Sequence, residues 1–249
     1  MKRHLMLVFT VVLVSALNFS VSAQTKTREQ ILNDITAKRG QLAALEEQFL
    51  AVSDSDRIAF VELLKQPNTG MIRLLPREIF DSEVYKKQSK TITMRGGGAY
   101  YSFVKKTHEY GYGSDIELDH DYLSVGFAGY DYGMLLKLNL NEVPLENLTA
   151  EHVEAATLIN YEVPVNEPEI RKEQMRFGQG VVMNGFVITR RVPVEIGASY
   201  LLRSIDYETS DVLVAIKVVR KDTDGSVIIA WKLLQNLPTP KAARNDVVR

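Results

Sequence analysis

Tyrosine and glycine are concentrated between residues 96 and 133, which hold seven of the eleven tyrosines and eight of the fifteen glycines. A tyrosine ring is flat and amphipathic, and glycine allows close approach of another molecule, so together they predict a platform for a sugar ring or a peptide. The tyrosines of this predicted platform are Tyr100, Tyr101, Tyr110, Tyr112, Tyr130 and Tyr132. Small antiparallel sheets also need half-buried tyrosines and turn glycines, so a purely structural role is an equal alternative.

A histidine and two acids in the same stretch are the best candidates for catalysis. His108 and Glu109 are adjacent, and Asp115 follows a few residues later. Histidine exchanges protons near neutral pH, so with a carboxylate it can provide general acid–base catalysis in a hydrolase. The alternative is a partly buried histidine that is hydrogen-bonded to the backbone. Nucleophile-elbow, Walker and dinucleotide-binding patterns are absent from the sequence, and we predict no cofactor.

Four acids, Asp115, Glu117, Asp119 and Asp121, alternate with other residues. In a strand, neighbours on one face are about 6.5–7 Å apart, so a row of carboxylates cannot converge on a calcium ion with ligands at about 2.3–2.6 Å. We therefore predict an amphipathic strand with an acidic solvent face. The histidines lack the spacing of a zinc site, and we predict no metal.

Charged residues of both signs mark a predicted surface helix over residues 168–177. Arg171, Lys172 and Arg176 form a basic group that would suit an acidic ligand. Glu169 and Glu173 are interleaved with them, which favours a solvated helix face instead.

The N-terminus has the three-part pattern of a Sec-type signal peptide over residues 1–23. Lys2 and Arg3 precede an apolar run, and small residues end at Ala23, so we predict cleavage between Ala23 and Gln24. The apolar run is shorter than the roughly 20 residues that span a bilayer. We therefore predict a periplasmic or extracellular protein with no stable membrane insertion after cleavage.

Composition excludes several classes of protein. The chain has 249 residues and no cysteine, so disulfide frameworks and thiolate metal sites are excluded. Its formal net charge of -1 provides no global attraction for nucleic acid, which we exclude as a partner.

Residues 24–67 are predicted to form a helical hairpin. Thr27 and Gln30 have capping-box spacing, and Ser53 to Asp56 indicates a second helix start. An apolar stripe follows a 3-4 repeat at Ile31, Ile35, Leu42, Leu45, Phe49 and Val52. This stripe either packs against the rest of the protein or forms a homodimer through residues 28–52.

Residues 68–238 are predicted to form a β-rich domain, and residues 239–249 a flexible tail. The clearest signal is a hairpin of two apolar, β-branched runs, 211–221 and 226–234, around the turn at 222–225. The fold class is α+β and mainly β: a helical hairpin, then an antiparallel curved sheet or half-open barrel with short helical excursions.

Three functions fit these patterns. The first is an exported, non-enzymatic binding or envelope-associated module for a glycan, a peptide or a protein. The second is a secreted hydrolase with a dispersed site around His108. The third is a structural protein that oligomerises through its N-terminal helices.

Overall fold

The computed structural model describes residues 26–81, 95–108, 113–126, 129–138 and 144–243. The predicted signal peptide and its cleavage site lie outside these residues, as do Glu109, Tyr110 and Tyr112. The chain divides into two compact units, one ending at Ala44 and the other beginning at Leu45. Of the helices in the described part of the chain, none combines the length and the apolar character needed to cross a membrane.

The first two helices of the described residues begin at the caps that the sequence indicates. The helices are α1 (Arg28–Phe49), α2 (Asp54–Ala59), α3 (Val61–Leu64), α4 (Arg77–Phe80), α5 (Val153–Ile159) and α6 (Glu167–Gln179). The capping box of α1 is confirmed, since the Gln30 N–H donates to Thr27 Oγ1 at 3.2 Å and the Thr27 N–H donates to Gln30 Oε1 at 2.9 Å. Ser53 caps α2 by accepting the Asp56 N–H at 3.2 Å.

Eleven strands of the described residues form two antiparallel sheets. The strands are β1 (Thr69–Leu74), β2 (Tyr100–Tyr101), β3 (Ile116–Asp119), β4 (Tyr122–Ser124), β5 (Tyr132–Leu138), β6 (Val181–Met183), β7 (Phe186–Thr189), β8 (Arg191–Pro193), β9 (Ser199–Asp206), β10 (Ser210–Lys221) and β11 (Val227–Asn236). The large sheet has the order β1-β11-β10-β9-β5-β7-β6, and the small sheet has the order β2-β3-β4-β8. Neither sheet closes into a barrel.

The predicted mixed, strand-rich class and the C-terminal hairpin are confirmed. Strands β10 and β11 pair in antiparallel around the predicted turn, where the Asp222 N–H donates to the Ser226 carbonyl at 2.8 Å. The sequence pattern did not indicate β1, which pairs with β11. It also did not indicate that the strands divide into two sheets.

Both faces of the large sheet are buried, and strand β10 shows how. Val212, Val214, Ile216 and Val218 pack into a core between the two sheets. Leu213 and Ala215 face the opposite way, into a second core covered by α3, α5 and α6. This is the two-faced burial that the β-branched run predicts.

The four alternating acids from Asp115 to Asp121, which we call the acidic row, do not form a solvent face, so that prediction is wrong. Asp115 and Glu117 are buried, Asp119 is half-buried, and only Asp121 is exposed. The reason is that α4 lies against β3, where Arg77 Nη1 is 3.5 Å from Glu117 Oε2. An element distant in sequence thus covers the face that alternation assigned to solvent.

Candidate functional site

The predicted tyrosine platform does not form an exposed surface in the described residues. Tyr100, Tyr101 and Tyr132 are buried in the cores, and Tyr130 is half-buried. Tyr132 stacks on Phe177 with ring centroids 6.0 Å apart and an interplanar angle of 13°. These rings therefore serve packing, the alternative that the composition had left open.

His108 makes the backbone contact that was named as the alternative to catalysis. Its Nε2 lies 2.9 Å from the Arg73 carbonyl oxygen, and its ring meets the Tyr101 ring edge-on at 5.0 Å. Burial lowers the pKa of His108, an effect that the Arg73 carbonyl partly offsets. No hydrogen bond joins His108 to Asp115 among the described residues.

A cleft lies between α6 and the segment that precedes it. We call it the α6 cleft, and its volume is about 310 Å³. It is lined by Tyr161, Glu162, Pro164, Glu169, Lys172, Glu173 and Arg176. The α6 residues in this set follow the spacing i, i+3, i+4, i+7, which places them on one helical face. That spacing was visible in the sequence, but nothing showed that the preceding segment folds against it.

Hydrogen bonds fix the wall of the α6 cleft. The Tyr161 hydroxyl donates to Glu173 Oε2 at 2.8 Å and lies 3.0 Å from the Tyr132 hydroxyl. Arg176 Nη1 donates to the same Glu173 oxygen at 2.9 Å. Burial raises the pKa of Tyr161 and of Tyr132, so both hydroxyls keep their protons. The cleft wall is thus connected to the buried tyrosine of β5.

The most unusual electrostatic feature is a group of three aspartates, Asp115, Asp131 and Asp206, which we call the aspartate cluster. Burial, reinforced by a hydrogen bond with Asp206, raises the pKa of Asp131 to about 8. Burial also raises the pKa of Asp206, although a hydrogen bond from Asp131 opposes the shift. The two carboxyl groups therefore interact directly, and each makes ionisation of the other less favourable.

Asp115 completes the cluster from the segment just before β3. The Phe103 N–H donates to Asp115 Oδ2 at 2.7 Å. Burial raises the pKa of Asp115 to about 6, against the stabilising hydroxyls of Ser204 and Ser102, and the Asp206 charge raises it further. Only Asp115 of the cluster was a sequence candidate. Asp131 and Asp206 are far apart in sequence, and only strand pairing brings them together.

One further group of side chains has metal-ligand chemistry. Among the described residues, Glu78, Asp119 and His120 each bring one ligand atom within 4.8 Å of the others. His120 Nδ1 lies 3.1 Å from Asp119 Oδ1, and the His120 N–H donates to Glu78 Oε2 at 2.9 Å. Arg191 Nη2 also lies 3.8 Å from Asp119 Oδ2. These contacts describe a hydrogen-bonded hairpin turn, and we assign no ion to it.

Comparisons of this chain with protein-family models, with curated proteins and with solved structures found no match. The α6 cleft and the aspartate cluster are therefore the two features from which a function can be inferred.

Proposed function

We propose that the protein is an exported, non-enzymatic module that binds a glycan in the α6 cleft. The observation that carries this proposal is the cleft itself. It has a tyrosine held by hydrogen bonds, a proline, and charged side chains along one face of α6. Glycan sites combine apolar surface with a few directed polar groups, and the cleft offers both.

The charges of the α6 cleft favour a neutral ligand over an ionic one. Three carboxylates (Glu162, Glu169, Glu173) and two cations (Lys172, Arg176) line it, a formal net charge of -1. Such a mixture attracts neither strong anions nor strong cations. It does present acceptors and donors side by side, which suits the hydroxyl groups of a sugar.

The proposal is tested by thermal unfolding and calorimetry of residues 24–249 with a panel of soluble glycans. A bound glycan raises the unfolding midpoint. Removing one charged hydrogen-bonding group with Lys172→Ala is expected to weaken binding about tenfold or more. Met175→Ala is the matched control, because Met175 is exposed on the same helix but does not line the cleft.

Two results would contradict the glycan proposal. One is an unfolding midpoint that peptides raise and glycans leave unchanged. The other is equal weakening of glycan binding by Lys172→Ala and Met175→Ala, since that would place the ligand elsewhere.

A secreted hydrolase is the second candidate, and the aspartate cluster is the observation that favours it. A carboxyl group that keeps its proton near neutral pH beside a second carboxyl is suited to general acid–base catalysis. The site would then use Asp131 and Asp206 rather than His108. Mass spectrometry of the same glycan panel after incubation distinguishes the two functions. Cleavage products that disappear with Asp131→Asn would establish the hydrolase, and intact glycans favour the binding module.

We also propose that the chain is exported and its signal peptide cleaved after Ala23, and that the N-terminal helical hairpin supports a homodimer through residues 28–52. The sequence pattern at residues 1–23 supports export. Exposed Ile31, Ile35 and Leu45 on α1 support the homodimer.

A further inference from the structure

The pairing of β5 with β9 places Asp131 opposite Asp206. Gly133 pairs with Ser204 and Tyr132 pairs with Ile205, so one further step in the same register brings the two aspartates side by side. Residues directly opposite on antiparallel strands have Cβ atoms about 4.5–5.5 Å apart, and like charges there are destabilising. Two ionised carboxylates would therefore repel each other at this position.

Both aspartates lie on the face of the large sheet that the small sheet covers. Leu135 and Leu202, which alternate in step with Asp131 and Asp206, belong to the core between the sheets. Asp206 is only 3% exposed, and Asp131 is half-buried. The pair thus sits at one end of the inter-sheet core, where water screens charge poorly.

One buried oxygen of Asp206 lacks a hydrogen-bond donor in the described part of the chain, and a protonated Asp131 could supply one. Among the described residues, no donor of standard geometry reaches Asp206 Oδ2, a buried oxygen. The Gly113 backbone and the Thr209 side chain already hydrogen-bond to Asp206, and neither reaches Oδ2. A proton on Asp131 would satisfy Asp206 Oδ2 and remove the repulsion at the same time.

The charged groups that face the pair give little compensation. Among the described residues, Asp115 faces it from the segment before β3, and Lys105 faces Asp206 from the connection between β2 and β3. The remaining contacts of Asp206 are the Thr209 side chain and the Gly113 backbone. One ammonium cannot balance three carboxylates, so proton retention is the way to reduce the charge.

We infer that Asp131 and Asp206 share one proton across the end of the inter-sheet core, and that this pair is a pH-sensitive clasp that weakens as the surroundings become alkaline. The clasp also contacts the helical layer, because Gln174 of α6 donates to the Asp131 carbonyl at 2.9 Å.

The direction of the pH effect follows from proton binding. The pKa of Asp131 is about 8 in the folded protein, against about 3.9 for an aspartate in an unfolded chain. Between these values the folded state binds more protons than the unfolded state, so stability falls as pH rises. The contribution is fully present below about pH 4 and is lost progressively up to about pH 8.

The test compares thermal unfolding of the wild-type protein and of Asp131→Asn across this pH range. The side-chain amide of the Asp131→Asn variant would donate to Asp206 at every pH. We expect the wild-type midpoint to fall, relative to that of Asp131→Asn, by about 3 °C for each unit of pH. Asp206→Asn is the second variant, and its unfolding midpoint should likewise depend less on pH than that of the wild type. Asp121→Asn is the control, since Asp121 is exposed and pairs with Lys221 at 2.7 Å.

Two results would overturn the inference. The first is an Asp131 carboxyl whose carbon-13 NMR signal titrates near the ordinary aspartate value, with parallel pH profiles for wild type and Asp131→Asn. The second is a rise in the wild-type midpoint with millimolar calcium that Asp131→Asn abolishes, because the pair would then hold a cation instead of a proton.

Discussion

A buried ion pair between Arg203 on β9 and Asp211 on β10 links the large sheet to α5. Arg203 Nε donates to Asp211 Oδ1 at 2.9 Å, and Nη2 donates to Oδ2 at 2.6 Å. Arg203 Nη1 donates to the Leu158 and Tyr161 carbonyls at 2.6 and 2.9 Å. The guanidinium therefore satisfies acceptors at the C-terminal end of α5 while its own charge is balanced by Asp211.

We expect Asp211→Asn to lower the free energy of unfolding by about 3–5 kcal/mol, because it leaves the Arg203 charge buried without a counterion. Urea unfolding followed by circular dichroism measures this loss. Asp121→Asn, which breaks the exposed pair with Lys221, should cost no more than about 1 kcal/mol. Similar losses in the two variants would mean that burial of the Arg203–Asp211 pair does not increase the effect of its disruption on the free energy of unfolding.

At the scale of elements, the packing of strand β1 depends on a close approach between Gly70 and Trp231. Gly70 pairs directly with Trp231 of β11. A Cβ added at Gly70 would lie 2.8 Å from three atoms of the indole ring. The glycine therefore allows the only tryptophan of the chain to lie across β1. Trp231 then closes the inter-sheet core at that edge, together with Tyr101 and Phe103.

Gly70→Ala is expected to lower the free energy of unfolding by about 1–3 kcal/mol, since either the indole or the strand must shift. Gly40→Ala in α1 is the matched control, because an added Cβ there meets nothing within 4 Å. This control should instead stabilise the helix by about 0.5–1 kcal/mol. Tryptophan fluorescence follows the unfolding of both variants. An unshifted emission spectrum together with an unchanged free energy of unfolding in Gly70→Ala would contradict the packing of Trp231 against Gly70.

At the scale of the whole molecule, the apolar stripe of α1 continues into the second unit and changes its environment there. Val52, at the end of the stripe, is buried, and Phe49 meets the Phe80 ring edge-on at a centroid distance of 6.0 Å. Nearer the start of α1, Ile31 and Ile35 are exposed. The packing and dimer hypotheses for the stripe thus concern different parts of it.

We expect the full chain, expressed with its own N-terminus in a bacterial host, to be recovered outside the cytoplasm. Its intact mass should be that of a chain that begins at Gln24. Light scattering of that preparation should give the mass of a dimer, and Ile35→Lys should reduce it to a monomer, since a charge in an apolar seam is poorly tolerated. Recovery in the cytoplasm would contradict export, and a retained N-terminus would contradict cleavage after Ala23. A wild-type monomer would contradict the homodimer.

Local sequence patterns were sufficient to predict some elements and not others. The caps at Thr27 and Ser53 and the hairpin of β10 and β11 depend on neighbouring residues, and all are confirmed. Strand β1 was missed because its partner lies more than a hundred residues away. The acidic row was misjudged for the same reason, since α4 covers β3.

The sequence by itself determined the elements whose signals are short-range: the helix starts, the C-terminal hairpin, the two buried faces of β10 and the absence of thiol chemistry. Tertiary structure alone decided which polar groups came together. Asp131 and Asp206 meet through the β5–β9 register, and the α6 cleft exists because residues 161–164 lie beside one face of α6. The physical reason is that burial and charge interactions depend on distance in space, and the chain pattern specifies distance only between near neighbours.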